Sequence, residues 1–303
     1  MKRLMFCVLM LIGLLGFAAK AEGGLKVVAT NFPCYDFARQ VAGDRGEVTL
    51  LIHPGVEVHS YEPSPADILA IGGADLFVYV GGESDAWVES ILSGFDAAGA
   101  PATLRMMEAV TPLEEEGEDD AHAHGEGPEY DEHIWTSPKN AMAMVAALSD
   151  ALSGLDPDNA GAYAAAAESY IGQIEEIDAA FAGAVESGRR RELVFADRFP
   201  FLYFVREYGL DYVAAFPSCT AQTEPTPQTM LTLIRRVEQD GIPVVYTIEM
   251  STQAVARAVA EETGAGIRTL YSLQTVTQAQ FDAGETYVSL MSQNVEAVRE
   301  GLN

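Results

Sequence analysis

Residues 156–188 read DPDNAGAYAAAAESYIGQIEEIDAAFAGAVESG, and this stretch decides the fold. Its large apolar residues recur at steps of three and four, which places them on one face of a helix. They are Tyr163, Tyr170, Ile174, Ile177, Phe181 and Ala184 or Val185. Asp156 is a suitable N-cap, Pro157 suits the first turn, and Gly188 is a typical end. The pattern predicts a helix of about 30 residues and about 45 Å, long enough to brace two lobes. The alternatives are an ordinary packed helix or a coiled-coil arm.

Short β-rich runs alternate with helical runs on both sides of this stretch. The predicted strands are Leu25–Thr30, Val48–Ile52 and Leu76–Val80, then Leu193–Ala196, Tyr212–Phe216, Val244–Ile248 and Ile267–Leu270. The predicted helices between them are Pro33–Ala42 and Pro65–Ile71, then Phe199–Tyr208, Thr226–Gln239 and Thr252–Thr263. Strand–helix alternation implies parallel sheets covered by helices. We therefore expect an α/β fold of two lobes with largely parallel sheets, joined by the long helix, with a ligand cleft between them.

The first residues have the features of an export signal. Lys2 and Arg3 precede the apolar run Leu4–Phe17, and Ala19-Lys20-Ala21 fits the small-x-small cleavage rule. The run is shorter than the roughly 20 apolar residues of a spanning helix, which favours cleavage over an uncleaved anchor. Cys7 lies inside the run, so no lipidation cysteine is evident. The predicted organisation is a signal peptide at 1–21, an N-terminal lobe at 22–155, a linking helix at 156–187 and a C-terminal lobe at 188–303. We expect a periplasmic or secreted protein.

The charge balance is strongly acidic, with 45 Asp and Glu against 18 Lys and Arg and a formal net charge of -27. Nucleic acid is an unsuitable partner, because phosphate binding needs a basic surface. An acidic protein attracts cations, although solubility alone is the simpler explanation. Two cysteines remain after the signal, Cys34 and Cys219. A disulfide between them and two unrelated buried thiols are equally open.

Acidic residues are densest at 112–132, which we interpret as an acidic loop. This segment holds His122 and His124 among glycines that discourage regular structure. Most acidic loops are only solvated surface, but the two histidines suggest a low-affinity antenna that raises the local cation concentration.

Two histidines lie in segments that look rigid. His59 is in VHSYEPSP, residues 58–65, just after a predicted strand, and its prolines restrict the backbone. His133 is in DEHIWTSP, residues 131–138, just before a helix that Ser137 can cap. Ligands of open α/β sheets bind where loops meet the strand ends. Imidazole suits zinc and similar ions, so both residues are candidate metal ligands, although a buried hydrogen-bonded histidine is the alternative. His53, in a His-Pro-Gly turn, is interpreted as structural.

Three motifs in this order resemble the metal-binding solute-binding proteins of ABC importers, the zinc and manganese uptake family. They are His59–Pro63, then Asp131, His133 and Trp135, and finally Tyr287, Met291 and Asn294. The resemblance covers residues 25–303, and the acidic His-containing loop and the long helix also fit it. It implies a binding protein that delivers Zn²⁺, with Mn²⁺ possible, to the membrane permease of an ABC importer. We expect a monomer that is not an enzyme.

The second lobe departs from the family pattern. The resemblance places a third ligand at Ala196 and a fourth at Tyr271, and alanine cannot coordinate a metal. Asp197 and Glu249 are the nearest replacements, so the expected ligand set is His59, His133, Asp197 and Glu249. The alternatives are an ion pair between Asp197 and Arg198, and a helix cap by Glu249. Glu224 and Cys219 are weaker candidates.

Two other functions remain open at this point. An exported zinc-dependent hydrolase would also use two histidines and a carboxylate, but the sequence has no His-Glu-x-x-His motif and no Gly-x-Ser-x-Gly elbow. The other alternative is an adhesin or binding module of the same fold that has lost its metal site. The absent second-lobe ligands keep that alternative open.

Overall fold

A computed structural model describes residues 24–96, 99–115, 129–216 and 225–303. They form two parallel four-stranded sheets. The first contains β1 (Leu25–Ala29), β2 (Gly46–Leu50), β3 (Leu76–Tyr79) and β4 (Ala102–Arg105), in the order β2-β1-β3-β4. The second contains β5 (Glu192–Arg198), β6 (Asp211–Phe216), β7 (Val244–Thr247) and β8 (Gly266–Thr269), in the order β6-β5-β7-β8. The predicted α/β class with two parallel-sheet lobes is confirmed.

Ten α-helices occur in the described residues. They are α1 (Phe32–Ala42), α2 (Pro65–Gly72), α3 (Trp87–Leu92), α4 (Pro138–Leu155), α5 (Ala160–Ser187), α6 (Leu202–Tyr208), α7 (Pro227–Asp240), α8 (Ala254–Thr263), α9 (Gln278–Asp282) and α10 (Tyr287–Leu302). The starts of α1, α2, α4 and α7 share one cause. Asn31, Ser64, Ser137 and Thr226 each accept a hydrogen bond from a first-turn backbone N–H, and a proline follows in the first two helical positions.

The long helix α5 has 28 residues and buries the predicted apolar stripe. It packs against α4, α1, α6 and α10, so it contacts elements from both halves of the chain. The predicted start was wrong by one turn. Residues Pro157–Asn159 form a separate 3-10 turn, and Asp156 instead accepts hydrogen bonds from Tyr163 Oη at 3.0 Å and Asn159 Nδ2 at 2.6 Å.

Two smaller predictions were also wrong. Strand β4 was not predicted, because its four residues are exposed or half-buried at a sheet edge and lack an apolar pattern. Helix α6 starts at Leu202 rather than Phe199, because β5 continues to Arg198 and Pro200 cannot donate a backbone hydrogen bond. The predicted signal peptide, residues 1–21, lies outside the described residues. Among the described helices, none combines the length and apolar character needed to cross a membrane.

A buried carboxylate connects three helices near the centre of the molecule. Asp36 on α1 is fully buried. Its Oδ2 accepts hydrogen bonds from Tyr170 Oη at 2.5 Å and Tyr287 N at 2.8 Å, and its Oδ1 accepts from Arg39 Nε at 2.8 Å. Tyr170 lies on α5 and Tyr287 begins α10, so this one carboxylate joins the linking helix to both ends of the chain.

Tyr287 at the start of α10 and Trp135 connect the two lobes, and Asn294 of α10 fixes a loop of the second lobe. Tyr287 Oη donates to the backbone oxygen of Trp135 at 2.8 Å. Asn294 donates to the oxygen of Tyr271 at 2.8 Å and accepts from its N–H at 2.8 Å. Trp135 in turn donates from Nε1 to the oxygen of Ser272 at 2.7 Å. The loops on either side of the interlobe space are therefore held by buried hydrogen bonds.

We predict that Tyr170→Phe destabilises the protein by about 1.5–3 kcal/mol, because a buried charged acceptor loses one donor. Chemical denaturation monitored by circular dichroism gives the free energy of unfolding. Tyr130→Phe is the matched control, because Tyr130 is exposed. Equal unfolding midpoints for the two variants would contradict the role given to Asp36.

Candidate metal centre

Two loops bring together the residues of the candidate centre. His59 lies between β2 and α2, and Glu132 and His133 lie immediately before the 3-10 turn that leads into α4. The helices begin where Ser64 and Ser137 cap them, which fixes the ends of both loops. One ligand atom from each of His59, Glu132 and His133 lies within 4.8 Å of the others. Within the described part of the chain, these three residues form the group whose donor atoms lie close enough to one another to bind a single metal ion.

Ser84 holds the carboxylate of Glu132 in place. Its N–H donates to Oε2 at 2.9 Å and its hydroxyl donates to Oε1. The same hydroxyl lies 2.8 Å from Nδ1 of His59, and Glu132 Oε1 lies 3.3 Å from that nitrogen. The loop that carries Ser84 is itself fixed, because Asp85 Oδ2 accepts from the N–H groups of Val80 at 2.7 Å and Gly81 at 3.0 Å. Ser84 therefore orients two candidate ligands at once.

The space around Glu132 admits only a glycine at position 82. A Cβ atom on Gly82 would lie 2.3 Å from Cβ of Glu132, closer than any stable contact. Glu132 is 5% exposed. Burial opposes its ionisation, but hydrogen bonding by His59, the charge of His133 and the Ser84 bond together lower its pKa to about 2. The site thus holds a buried carboxylate that is ionised at neutral pH.

His133 is buried and oriented by its neighbours. Its backbone N–H donates to Asp131 Oδ1 at 2.7 Å, and its Nδ1 lies 3.2 Å from the same oxygen. The ring of Trp135 lies edge-on at 5.6 Å between centroids. A carboxylate that accepts from Nδ1 makes Nε2 the nitrogen that offers a lone pair to a metal. The rings of His59 and His133 are 5.8 Å apart, so both can face one ion.

The second lobe approaches the centre through Gln274. Its Nε2 lies 3.2 Å from Nε2 of His59. Ser272 anchors this loop, because its N–H and hydroxyl donate to the carboxylate of Glu249 at 2.7 Å and 2.5 Å. Leu273, between the two, has a φ of 63°, an unusual value for a side chain with a Cβ. The loop is therefore held in one conformation that directs Gln274 towards His59.

The predicted ligand set is brought together only in part. His59 and His133 meet, whereas Asp197 and Glu249 lie outside the group of donor atoms. Asp197 accepts from the N–H of Arg198 at 2.9 Å and of Ile248 at 3.4 Å. Both carboxylates line a neighbouring cavity between the lobes, so their role in binding a metal stays a prediction.

The structure also differs from the alternative roles of these two carboxylates, an ion pair between Asp197 and Arg198 and a helix cap by Glu249. The Arg198 guanidinium pairs with Glu57 at 3.0 Å. Helix α8 begins after Gln253, which makes no side-chain capping hydrogen bond, rather than after Glu249. Glu249 instead holds Ser272, and burial raises the pKa of its carboxyl group.

Sequence reasoning missed three residues of the centre: Glu132, Ser84 and Gln274. Glu132 adjoins a predicted ligand but was assigned to the acidic loop, and its position beside His133 was the available signal. Ser84 and Gln274 carried no signal, because tertiary contacts alone bring them to His59.

Other predicted residues lie elsewhere. His53 is exposed and outside the group. Cys34 is buried, and burial raises the pKa of its thiol. In the structure Cys34 is a free cysteine. Cys219 and Glu224 lie outside the described residues, so the disulfide and the two unrelated thiols both stay alternatives.

The base of the acidic loop is attached to both lobes. Residues 116–128, including His122 and His124, lie outside the described residues. Glu114 pairs with Tyr130 in an antiparallel bridge. Tyr203 of α6 accepts from the N–H of Leu113 at 2.9 Å and donates to the oxygen of Asp131 at 2.8 Å. The described base of the acidic loop therefore lies close to Asp131, the residue that orients His133.

Comparison with known proteins identifies relatives that are zinc-binding or zinc-uptake proteins. The sequence profile described as zinc-uptake complex component A, periplasmic (ZnuA) matches residues 27–301. Zinc-binding lipoprotein AdcA of Streptococcus pneumoniae is 33% identical over 284 residues, which are 93% of this chain and 56% of AdcA. The chain therefore spans little more than half the length of that relative.

Two further similarities cover a larger share of the compared protein. The high-affinity zinc uptake system protein ZnuA of Bacillus subtilis is 30% identical over 297 residues, which are 95% of this chain and 90% of that protein. The solved structure of the Zn(II)-bound ZnuA-like domain of S. pneumoniae AdcA matches with a TM-score of 0.77 and 31% identity. This match covers 92% of the present chain and 99% of that domain, so it includes both lobes.

We predict that Ser84→Ala weakens the binding of a divalent ion by about tenfold to a hundredfold, the usual effect of losing an outer-shell partner. Competition titration with zinc against a chromophoric chelator measures the dissociation constant. Ser93→Ala is the control, because the Ser93 hydroxyl donates only to the backbone of its own helix. Unchanged affinity in Ser84→Ala would show that Glu132 and His59 need no support from this residue.

Proposed function

Since the chain belongs to the family of the periplasmic zinc-uptake complex component A, we propose that it is an extracytoplasmic solute-binding protein that captures zinc and delivers it to an ABC importer. Members of this family are metal-binding components of transport systems. The observation that carries the proposal is the convergence of His59, Glu132 and His133 on one point.

The donor set suits zinc better than the hard cations. Two imidazole nitrogens and one carboxylate oxygen are ligands that zinc prefers, whereas Mg²⁺ and Ca²⁺ prefer oxygen alone. The ionised Glu132 supplies the negative charge that a buried dication requires. Manganese also accepts such a mixed set and is the alternative cargo. Three protein donors leave one position of a tetrahedral zinc ion for a further ligand.

The charge of the whole chain supports capture of a cation. A net charge of -27 raises the concentration of cations near the surface and speeds their association. The acidic segment 112–132 contributes to this field, and its described base adjoins Asp131, beside the donor group. In this proposal the loop collects ions with low affinity and the buried centre retains one with high affinity.

The protein works outside the cytoplasm, and its partner is a membrane permease. The chain acts as a monomer outside the cytoplasm after its signal peptide is removed, and it docks on the membrane permease of an ABC importer. It catalyses no reaction. The buried hydrogen bonds from Trp135 to Ser272 and from Tyr287 to Trp135 hold the lobes together, which suits a binding protein whose lobes move little.

The two alternatives gain less support. A hydrolase would also use three protein donors and an open position, but the family and the absence of a hydrolase motif in the sequence favour transport. A binding module without a metal site does not explain why a buried ionised carboxylate, a buried histidine and an exposed histidine converge on one point.

We predict that His59→Ala, His133→Ala and Glu132→Gln each weaken zinc binding by at least about a hundredfold. Each change removes one bond to the metal and leaves the remaining donors less complementary to it. Competition titration gives the affinity, and elemental analysis of the purified protein gives the metal content, expected to be one zinc per chain in the wild type.

The matched control is His53→Ala, which removes an exposed imidazole outside the donor group. It should keep the wild-type affinity. If His59→Ala and His133→Ala also keep it, zinc does not bind at this centre.

A further inference from the structure

The two lobes contain the same short sequence at equivalent places. Residues 62–65 read EPSP, and residues 224–227 read EPTP. The first leads into α2, which connects β2 to β3, and the second leads into α7, which connects β6 to β7. The strand orders β2-β1-β3-β4 and β6-β5-β7-β8 are equivalent. Helices α2 and α7 therefore occupy the same position in the two lobes.

The correspondence continues inside both helices. Each begins with a hydroxyl cap that accepts a hydrogen bond from the backbone N–H three residues later. Seven residues after the cap, Ile71 and Leu233 are fully buried. Five residues after the cap, Leu69 and Leu231 are 78% and 46% exposed. Each lobe thus presents an exposed leucine at the same position of the repeat.

Both leucines lie on helices that begin at the cleft side of their lobe. Each helix connects two parallel strands, so it runs back along its sheet from the carboxyl ends of the strands. Residues at or after the carboxyl ends of β2, β5 and β7 line the cavity between the lobes. Two further exposed apolar residues, Val56 and Met250, line this cavity, one from each lobe. Exposed apolar side chains of both lobes therefore lie around one cleft.

The chain around α2 carries negative charge only. Residues 46–104 contain nine Asp and Glu and no Lys or Arg, and residues 225–234 of α7 and its cap contain no charged residue. Exposed apolar side chains in an acidic surface fit a partner with apolar pockets and a basic rim. A second copy of this chain, with the same net charge of -27, would be repelled, and so would an anionic lipid surface.

We propose that Leu69 and Leu231 are the two points at which the protein docks on a membrane permease formed by two copies of one chain. This proposal rests on the proposed delivery of zinc to an ABC importer. One contact residue repeated on two equivalent helices fits two equivalent pockets, one on each copy of the permease. Cationic side chains around the pockets face the acidic surface beside α2. Docking in this way turns the cleft towards the permease.

Affinity for the importer tests the proposal. The probe is the zinc-importing permease of the source organism with its ATPase subunit, reconstituted in nanodiscs of neutral lipid, and biolayer interferometry measures binding of the zinc-loaded protein. Leu69→Ser and Leu231→Ser should each bind at least tenfold more weakly than the wild type, because serine gains less than leucine from burial. Both should keep the wild-type zinc affinity, because neither residue belongs to the donor group.

Leu155→Ser is the matched control. Leu155 is also exposed, but it ends the 18-residue helix α4, about 27 Å from the start of that helix beside the metal centre. This variant should keep both affinities. Raising the salt concentration should weaken docking of the wild type, because salt screens attraction between an acidic surface and a basic rim. Docking that salt leaves unchanged overturns the basic rim.

Photo-crosslinking shows whether the two pockets are equivalent. The photoreactive residue p-benzoylphenylalanine replaces Leu69 in one protein and Leu231 in another, and mass spectrometry identifies the crosslinked peptide. The expected result is the same segment of the permease from both positions. Different segments, a crosslink to lipid or a crosslink to a second copy of this chain overturns the proposal.

The outcomes separate this proposal from the proposed function. If the wild type binds zinc and docks on the importer while either leucine variant docks equally well, the paired docking surface is overturned and zinc delivery stands. If the wild type does not dock on the importer, both are overturned.

Discussion

The architecture depends on one buried carboxylate, Asp36, which joins α1, α5 and α10. A buried charge is costly unless several donors surround it, so these three helices must meet in one arrangement. That arrangement places the start of α10 against Trp135, whose indole binds the backbone of Ser272 in the other lobe. The relative position of the two loops at the candidate site is therefore set by a series of contacts that begins at Asp36 and ends at Trp135, beside His133.

In the metal centre, too, several neighbouring groups compensate a buried charge. Glu132 is ionised although buried, because Ser84 and the two histidines compensate its charge. A dication would replace part of that compensation and bind all three donors at once. Because the donors come from one lobe and are held by hydrogen bonds, little reorganisation is needed when the ion arrives. This organisation fits the proposed function, in which the protein captures zinc and passes it to an importer.

Periodicity and strand–helix alternation predicted most of the fold, because α5 and the buried strands carry long apolar patterns. The edge strand β4 has no such pattern, so it was missed. The two histidines were predicted from rigid local segments, and they do meet. Glu132 was hidden among acidic neighbours, and its selection depends on Ser84, 48 residues away in sequence. Glu249 was expected at the metal from its place at a strand end. In the structure its carboxylate accepts hydrogen bonds from Ser272, and its role at the metal stays a prediction.

The central claim is that the ion binds to His59, Glu132 and His133. Anomalous diffraction at the zinc edge from crystals of the zinc-loaded protein tests it most directly. The account predicts one strong peak about 2.0–2.2 Å from a nitrogen of each histidine and from a carboxylate oxygen of Glu132. A peak coordinated by Asp197 and Glu249 without Glu132, or confined to the acidic loop, would contradict it.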